Sequence, residues 1–295
     1  MKNYHTFIIG HISLDENIFQ SEVVKNIGGA VLYSSSVSNA LGYKTGVLTK
    51  FSLQHQGILE AFTIPRKDIF VLDSIHTTSI RNIYHSVDRE KRTCIALSIA
   101  DPFTIVDLPK DINSQIYHFA GLIAGDFDNK MINFLHNKGK IALDVQGFLR
   151  AVGTNQEMIF KDWEEKKDYL PYVNYLKTDA VEAEVMTGTT DRKKAAKMLY
   201  DWGAKEVLIT HNQEVLVYDG QKYYTCPLKP RNLSGRTGRG DTCFSAYITE
   251  RLNRDIDEAL IFASALVSLK METPGPFKGR REDVENFIHR YYARK

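Results

Sequence analysis

Ser234-Gly235-Arg236-Thr237-Gly238-Arg239-Gly240-Asp241-Thr242-Cys243-Phe244 is the stretch on which the reading of this chain turns. Two glycines flank Arg239, and apolar residues at helical spacing follow: Phe244, Tyr247, Ile248 and Leu252. Gly238 and Gly240 let the backbone turn sharply and approach a ligand closely, because no Cβ stands in the way. A helix that begins there aims N–H groups and the positive end of its dipole at the turn, which suits a phosphate or a developing anion. Asp241 stands at the same place. Taken alone, it reads either as the cap of the helix or as a carboxylate that takes a proton from a reacting hydroxyl. No Lys-Ser or Lys-Thr pair follows the glycines, so the loop is not of the Walker type.

Outward from this loop, short apolar runs alternate with helical patterns. Phe7-Ile8-Ile9, Gly46-Val47-Leu48, Ile116–Phe119, Ile141-Ala142-Leu143, Tyr175-Leu176 and Val207-Leu208-Ile209 read as buried strands. Ala195, Met198, Leu199 and Trp202 fall on one helical face that Gly203 ends, and Val284, Phe287, Ile288 and Tyr291 mark a final helix. Such alternation predicts a parallel sheet covered on both faces, with ligands beyond the carboxyl ends of its strands. Asp144, Asp179 and Thr210 stand at such ends. One region departs from the pattern. From Thr77 to Ile99 the chain is strand-like, with Asp88-Arg89-Glu90-Lys91 as a polar turn and Ile95, Leu97 and Ile99 alternating to one face. It reads as a projecting hairpin, joined by strands near Asp15 to Ile27, that is either a lid or an edge extension of the core.

Composition narrows the function. The 295 residues are 43% hydrophobic and 25% charged, a globular profile with ample apolar residues for one large core. Lys+Arg 38 against Asp+Glu 36 leaves +2, too balanced for a protein that reads phosphates over a broad nucleic-acid surface. The longest apolar run, Ala259 to Leu269, is broken by Ser264 and Ser268 and is too short for a membrane span. Met1 to His5 leads directly into Phe7-Ile8-Ile9, without the longer apolar stretch of a secretory signal. Cys94, Cys226 and Cys243 are odd in number and lack Cys-x-x-Cys spacing, which disfavours disulfides and structural zinc. The expectation is a cytoplasmic enzyme with no membrane and no nucleic-acid partner. His11 and His118 lack a second ligand at metal spacing and read as packing residues.

Thr237-Gly238-Arg239-Gly240-Asp241 resembles the Thr-Gly-x-Gly-Asp signature of the PfkB (ribokinase-like) carbohydrate kinase family, near the C-terminal end as in that family. Further similarities follow in order. Gly10–Asp15 is similar to the family's opening strand that ends in a substrate-binding aspartate, and Gly28-Gly29 before a helical run to Leu41-Gly42 is similar to its second glycine motif. Asp144-Val145-Gln146 with Arg150 resembles its Asp-x-Asn/Gln segment, in particular that of the inositol kinase branch. Asp179-Ala180-Val181-Glu182 resembles Asn-x-x-Glu, and Thr210-His211-Asn212 lies where a Thr-x-Gly turn meets the nucleotide.

The resemblance implies an α/β, ribokinase-like fold over residues 1–295: a central, mostly parallel sheet with helices on both faces, and a small β-sheet lid from about 13–28 and 77–100. It implies transfer of the ATP γ-phosphate to a hydroxyl of a small sugar or cyclitol. Asp241 would be the base, and the backbone around Gly238, Arg239 and Gly240 the anion hole. Asp15, Gly28, Gly29, Tyr33, Asp144, Gln146 and Arg150 would bind the acceptor. Asp179, Thr210, Asn212, Thr237, Gly238 and Gly240 would bind ATP, and Glu182 would hold Mg²⁺ through water. A homodimer through the lid is expected from the apolar alternation of the hairpin.

Four positions depart from the family pattern. Gly235 replaces an aspartate that helps hold a monovalent cation in some members, which puts cation activation in question. Arg239 replaces alanine, Asp179 replaces asparagine, and Tyr33 stands where sugar-specific members often carry asparagine. A nucleoside kinase in which Tyr33 stacks on a base, and a non-catalytic sugar- or nucleotide-binding paralogue, are the alternatives.

Overall fold

The computed structural model describes residues 1–85 and 92–292. Its centre is a nine-stranded sheet. From one edge the strands are Tyr223–Pro227, Glu214–Tyr218, Glu206–Thr210, Tyr175–Asp179, Lys140–Asp144, Ile112–Phe119, Lys2–Ile9, Thr45–Phe51 and Ile69–Asp73. The last seven of these run parallel, and the first two pair antiparallel at the edge. The central strands carry short apolar runs because both of their faces are covered. Thr45–Phe51, for example, is buried at every residue.

Helices Ala30–Ala40, Arg239–Glu250, Ile256–Lys270 and Arg281–Tyr291 pack with one face of the sheet around Phe244, Tyr247, Phe262 and Leu266. The other face is covered around Met131, Leu149, Leu176 and Leu199. The first two helices touch through serines. Ser245 Oγ donates to the Ser34 carbonyl at 2.7 Å, and Ser38 and Ser245 share a hydroxyl–hydroxyl bond at 3.0 Å. That small-residue seam lets the helix behind Gly28-Gly29 and the helix behind Asp241 approach closely, and so sets two sequence-distant motifs side by side.

The chain starts in the middle of the sheet, builds Thr45–Phe51 and Ile69–Asp73 to one side, then crosses over to build the other side from Ile112–Phe119. A crevice opens at such a reversal, beyond the carboxyl ends of the strands. Over it stands a four-stranded sheet, Glu22–Gly28, Ser13–Phe19, Ser79–Tyr84 and Arg92–Ser98, in that order. Its outer pairs are antiparallel and its central pair, Ser13–Phe19 with Ser79–Tyr84, is parallel. These are the strands read as a lid. The polar turn Asp88–Lys91 lies outside the described residues. Ile80, Asn82 and Tyr84 face the crevice, and Arg81 and Ile83, one residue out of phase, face away. The hairpin's apolar alternation is displaced by one residue: Ala96 is its buried member, while Ile95 and Leu97 lie half-buried on the outward face and Ile99 is exposed. Among the described residues, no helix is long and apolar enough to cross a membrane.

Candidate active site

The crevice is a cavity of about 1340 Å³. At the small sheet its wall is polar, with Asp15, Asn82, Gln146 and Arg150. At the loop before the Arg239–Glu250 helix it presents Thr210, Asn212, Arg236, Thr237, Gly238, Arg239 and Gly240. Asp241 belongs to the same wall, within electrostatic reach of Arg150 from the first group and of Lys270 behind the second.

The loop shape follows from its glycines. Gly238 is left-handed (φ 75°, ψ 15°), and a Cβ there would stand 2.2 Å from the Tyr33 ring, so only glycine fits. The first helical bond runs from the Thr242 N–H to the Gly238 carbonyl at 3.0 Å, which leaves the N–H groups of Gly240 and Asp241 at the open helix end. The Arg239 N–H, expected in the anion hole, donates instead to the Arg236 carbonyl at 3.2 Å. The open N–H groups at the helix start are therefore those of Gly240 and Asp241, without that of Arg239.

Asp241 does not cap its helix through its side chain. Burial first, and then the neighbouring Asp144, push its carboxyl up to about 6, against the pull of Lys177, Arg150 and Lys270. A carboxylate so placed is ionised at neutral pH yet basic enough to take a proton.

Lys177 is the most central of the residues that the sequence reading missed. It is buried in the strand Tyr175–Asp179, whose parallel register sets it beside Asp144 of the neighbouring strand. Its ammonium donates to Asp144 at 3.0 Å and lies 3.6 Å from Glu182. A Cβ on Gly240 would be 3.3 Å from its Cε and Nζ, so the charge lies directly beneath the anion-binding loop. Burial opposes that charge, but Asp144, Glu182, Asp179 and Asp241 together hold the ammonium well above the ordinary lysine range. The sequence signal was weak: a lysine next to the short run Tyr175-Leu176 becomes informative only once the strand is known to be covered on both faces, where such a charge persists only with partners.

The Asp179–Glu182 pair forms a reciprocal cap. Asp179 accepts the Glu182 N–H at 2.8 Å, and Glu182 accepts the Asp179 N–H at 2.8 Å. Glu182 is fully buried, and burial pushes its carboxyl upward, so it is no solvated helix start. At the acceptor end Asp15 Oδ1 is buried without a hydrogen-bond partner. Burial pushes this carboxyl up to about 6, against the pull of Ser13, the Ile80 N–H, Arg92 and Arg150. An acceptor so poised is satisfied by a ligand hydroxyl.

Thirteen of the expected site residues share the cavity wall: Asp15, Gly29, Tyr33, Gln146, Arg150, Asp179, Thr210, Asn212, Thr237, Gly238, Arg239, Gly240 and Asp241. Gly28, Asp144 and Glu182 stand behind it. Gly28 lies under the Asp15 carboxylate, and Asp144 and Glu182 hold Lys177. Tyr33 is 6% exposed, packed on Gly238 with Lys270 over its ring at 5.2 Å, which leaves little face for stacking on a base. Besides Lys177, the wall includes Asn82, Tyr84, Arg92 and Arg236, which the sequence reading did not single out. Their cavity-facing positions depend on how the small sheet and the loop fold over the crevice. Of the two histidines read as packing residues, His11 bonds the Asp101 carbonyl at 3.0 Å and His118 packs edge-on to Phe244; Cys243 is buried.

The pattern of the pfkB family of carbohydrate kinases matches residues 68–280. Among solved structures, the chain is similar to a pyrophosphate-dependent kinase of the ribokinase family complexed with a pyrophosphate analogue and myo-inositol. The two share 36% identity with a TM-score of 0.86, over 95% of this chain and 99% of that one. A pyrophosphate-dependent myo-inositol-1 kinase converted by two substitutions into a myo-inositol-3 kinase is 34% identical, with a TM-score of 0.85, over 98% of this chain and all of that one. A cytidine kinase of Thermococcus kodakarensis is 27% identical over 82% of this chain and 86% of its own length. With a ribokinase-like sheet, a glycine loop at a helix start and an aspartate buried beside it, the chain belongs to the pfkB family of carbohydrate kinases and is a phosphotransferase.

Proposed function

We propose that the chain transfers a phosphoryl group from pyrophosphate to one hydroxyl of a cyclitol of the inositol type. One observation carries the reading: a single cavity joins a hydroxyl-binding wall (Asp15, Asn82, Gln146, Arg150) to an anion-binding loop, with Asp241 on the same wall. Asp241 takes the proton of the acceptor hydroxyl as its oxygen attacks the terminal phosphorus. The bond to the bridging oxygen breaks, and orthophosphate leaves. The N–H groups at the helix start and the Lys177 ammonium face the charge that spreads over the transferred oxygens. Arg236 and Arg239 add two guanidiniums to the same wall, which suits a compact, highly charged donor. The relatives at 34–36% identity described as pyrophosphate-dependent support this donor.

ATP, the donor expected from sequence, is the second reading. A smaller cavity of about 380 Å³ adjoins Asn212 and Arg236 and is lined in part by Leu233 and Met271, apolar surface that suits a base. Magnesium bound with either donor would neutralise phosphate charge. Asp179 adds a negative charge to the cavity wall beside the donor, which raises the need for that magnesium, and Glu182, expected to hold the metal through water, stands behind it as its capping partner. The small sheet serves as a lid over the acceptor.

Phosphorus NMR of the protein with Mg²⁺, either pyrophosphate or ATP, and myo-inositol, pentoses, cytidine or adenosine tests the reading. The expected result is a phosphomonoester of myo-inositol with orthophosphate from pyrophosphate, lost at least a hundredfold in Asp241→Asn. Ester from ATP alone moves the donor to the nucleotide, and ester on a nucleoside alone moves the acceptor. Binding of donor and acceptor without any ester would favour the non-catalytic paralogue.

A further inference from the structure

We propose that Lys270 is a positioning residue that supplies, from within the chain, the cation around which the donor loop is folded; this rests on reading 235–240 as the donor loop. Lys270 ends the helix Ile256–Lys270, and only 1% of it is exposed. Its ammonium donates to the Gly235 carbonyl at 2.5 Å and, closer still, to the Thr237 carbonyl. The Tyr33 ring centroid lies 5.2 Å away. Among the described residues no carboxylate lies within ion-pair distance of it, so carbonyl dipoles and an aromatic face solvate this buried charge.

The consequence follows from the peptide plane. In a trans peptide the N–H points opposite to the carbonyl of the preceding residue. With the Gly235 and Thr237 carbonyls held by Lys270, the N–H groups of Arg236 and Gly238 turn to the opposite side of the loop, and both residues lie on the cavity wall. One ammonium thus fixes the face that the loop offers to an anion and adds positive potential behind it.

The same geometry accounts for Gly235. A Cβ there would stand 1.8 Å from the Thr273 carbonyl, and the Gly235 N–H donates to the Met271 carbonyl at 2.7 Å. The turn that starts the loop is laid on the segment that follows Lys270, with no room for an aspartate. A dissolved monovalent cation would have to compete for carbonyls that a tethered one already holds. The loop of this chain therefore needs no such ion.

The test compares the parent chain, Lys270→Ala and Lys270→Met in KCl, NH₄Cl and tetramethylammonium chloride at one ionic strength. Donor KM, kcat and the thermal midpoint are read for each. In the parent, all three quantities are expected to be the same within about twofold, or within a degree or two, in every salt. In Lys270→Ala, donor KM should rise at least tenfold, and NH₄⁺ or K⁺ should recover several-fold of that loss while tetramethylammonium does not. The same small ions should raise the midpoint of that variant only. Lys270→Met, whose stem fills the gap, should show the loss without recovery. Activation of the parent by K⁺ beyond about tenfold overturns the proposal, as does a folded Lys270→Ala whose KM is unchanged or whose loss no small cation repairs. If Lys270→Ala does not fold, the response of the parent to K⁺ decides. The midpoints report on the cation even where no phosphoryl transfer is found, so failure of the proposal and failure of the functional reading remain distinct.

Discussion

At the scale of single residues, the site is governed by what burial does to carboxylates. Asp241 and Asp15 each have a carboxyl raised to about 6, against about 3.8 in an unfolded chain. The effect on activity and the effect on stability then have opposite signs. As a base Asp241 works only when ionised, so kcat should fall about tenfold per pH unit below 6. The folded chain holds these protons between pH 4 and 6, where the unfolded chain has lost them. Each group therefore costs stability above pH 6 and relieves that cost as the pH falls, by roughly 1–3 kcal/mol apiece. Denaturant melts of the ligand-free protein should show stability rising from pH 7.5 to 5 while turnover declines. Asp241→Asn should be more stable than the parent at pH 7.5 and should lose part of that slope. A turnover that stays flat down to pH 5 would remove Asp241 from the role of base. The sequence showed Asp241 and Asp15 through their motifs. It did not show Lys177 or Lys270, because a lysine beside an apolar run looks like a surface residue until the fold supplies its partners.

At the scale of elements, the helix Ala180–Thr187 shows how far a motif can be read. Asp-x-x-Glu was legible as two carboxylates at a helix start. That one of them would be sealed inside, with its carboxylate on the Asp179 N–H, depends on the register that brings Lys177 beneath it. Asparagine, usual in the family at this position, caps a helix about as well as aspartate. Asp179→Asn should therefore leave stability within about 0.5 kcal/mol, whereas Asp179→Ala should cost about 1 kcal/mol through the lost cap. The amide also removes a negative charge from the cavity wall, so Asp179→Asn should lower donor KM and the Mg²⁺ concentration needed for half-maximal rate. Urea melts and Mg²⁺ titrations of the two variants check this. A higher donor KM in Asp179→Asn would show that the charge itself serves the metal. The central strands were legible for a simpler reason. Parallel strands covered on both faces favour apolar runs, and a short one is present in each central strand, from Phe7-Ile8-Ile9 to Val207-Leu208-Ile209.

At the scale of the whole molecule, the small sheet was legible as a departure from alternation, but its two faces were not. A strand pattern gives a period of two and cannot say which phase meets the ligand. The structure turns Asp15, Asn82 and Tyr84 inward. It leaves Ile83, Ile95 and Leu97 half-buried on the outward face, with Arg81 paired to Glu16 across it at 2.7 Å. Val23 and Val24 are more than half exposed at the edge strand. A sheet of four strands with an apolar outer face and an open edge is an incomplete structure, and a second copy of the same sheet would cover it by two-fold symmetry. The chain is therefore expected to be a homodimer at micromolar concentration, with Ile83→Lys shifting it to monomer in light scattering. Because the inward face of the same strands forms the acceptor wall, the monomeric variant should show a raised acceptor KM and a nearly unchanged donor KM. A parent that scatters as a monomer at these concentrations would sink the dimer. A monomeric variant with both constants unchanged would show instead that the sheet closes over the acceptor without a partner.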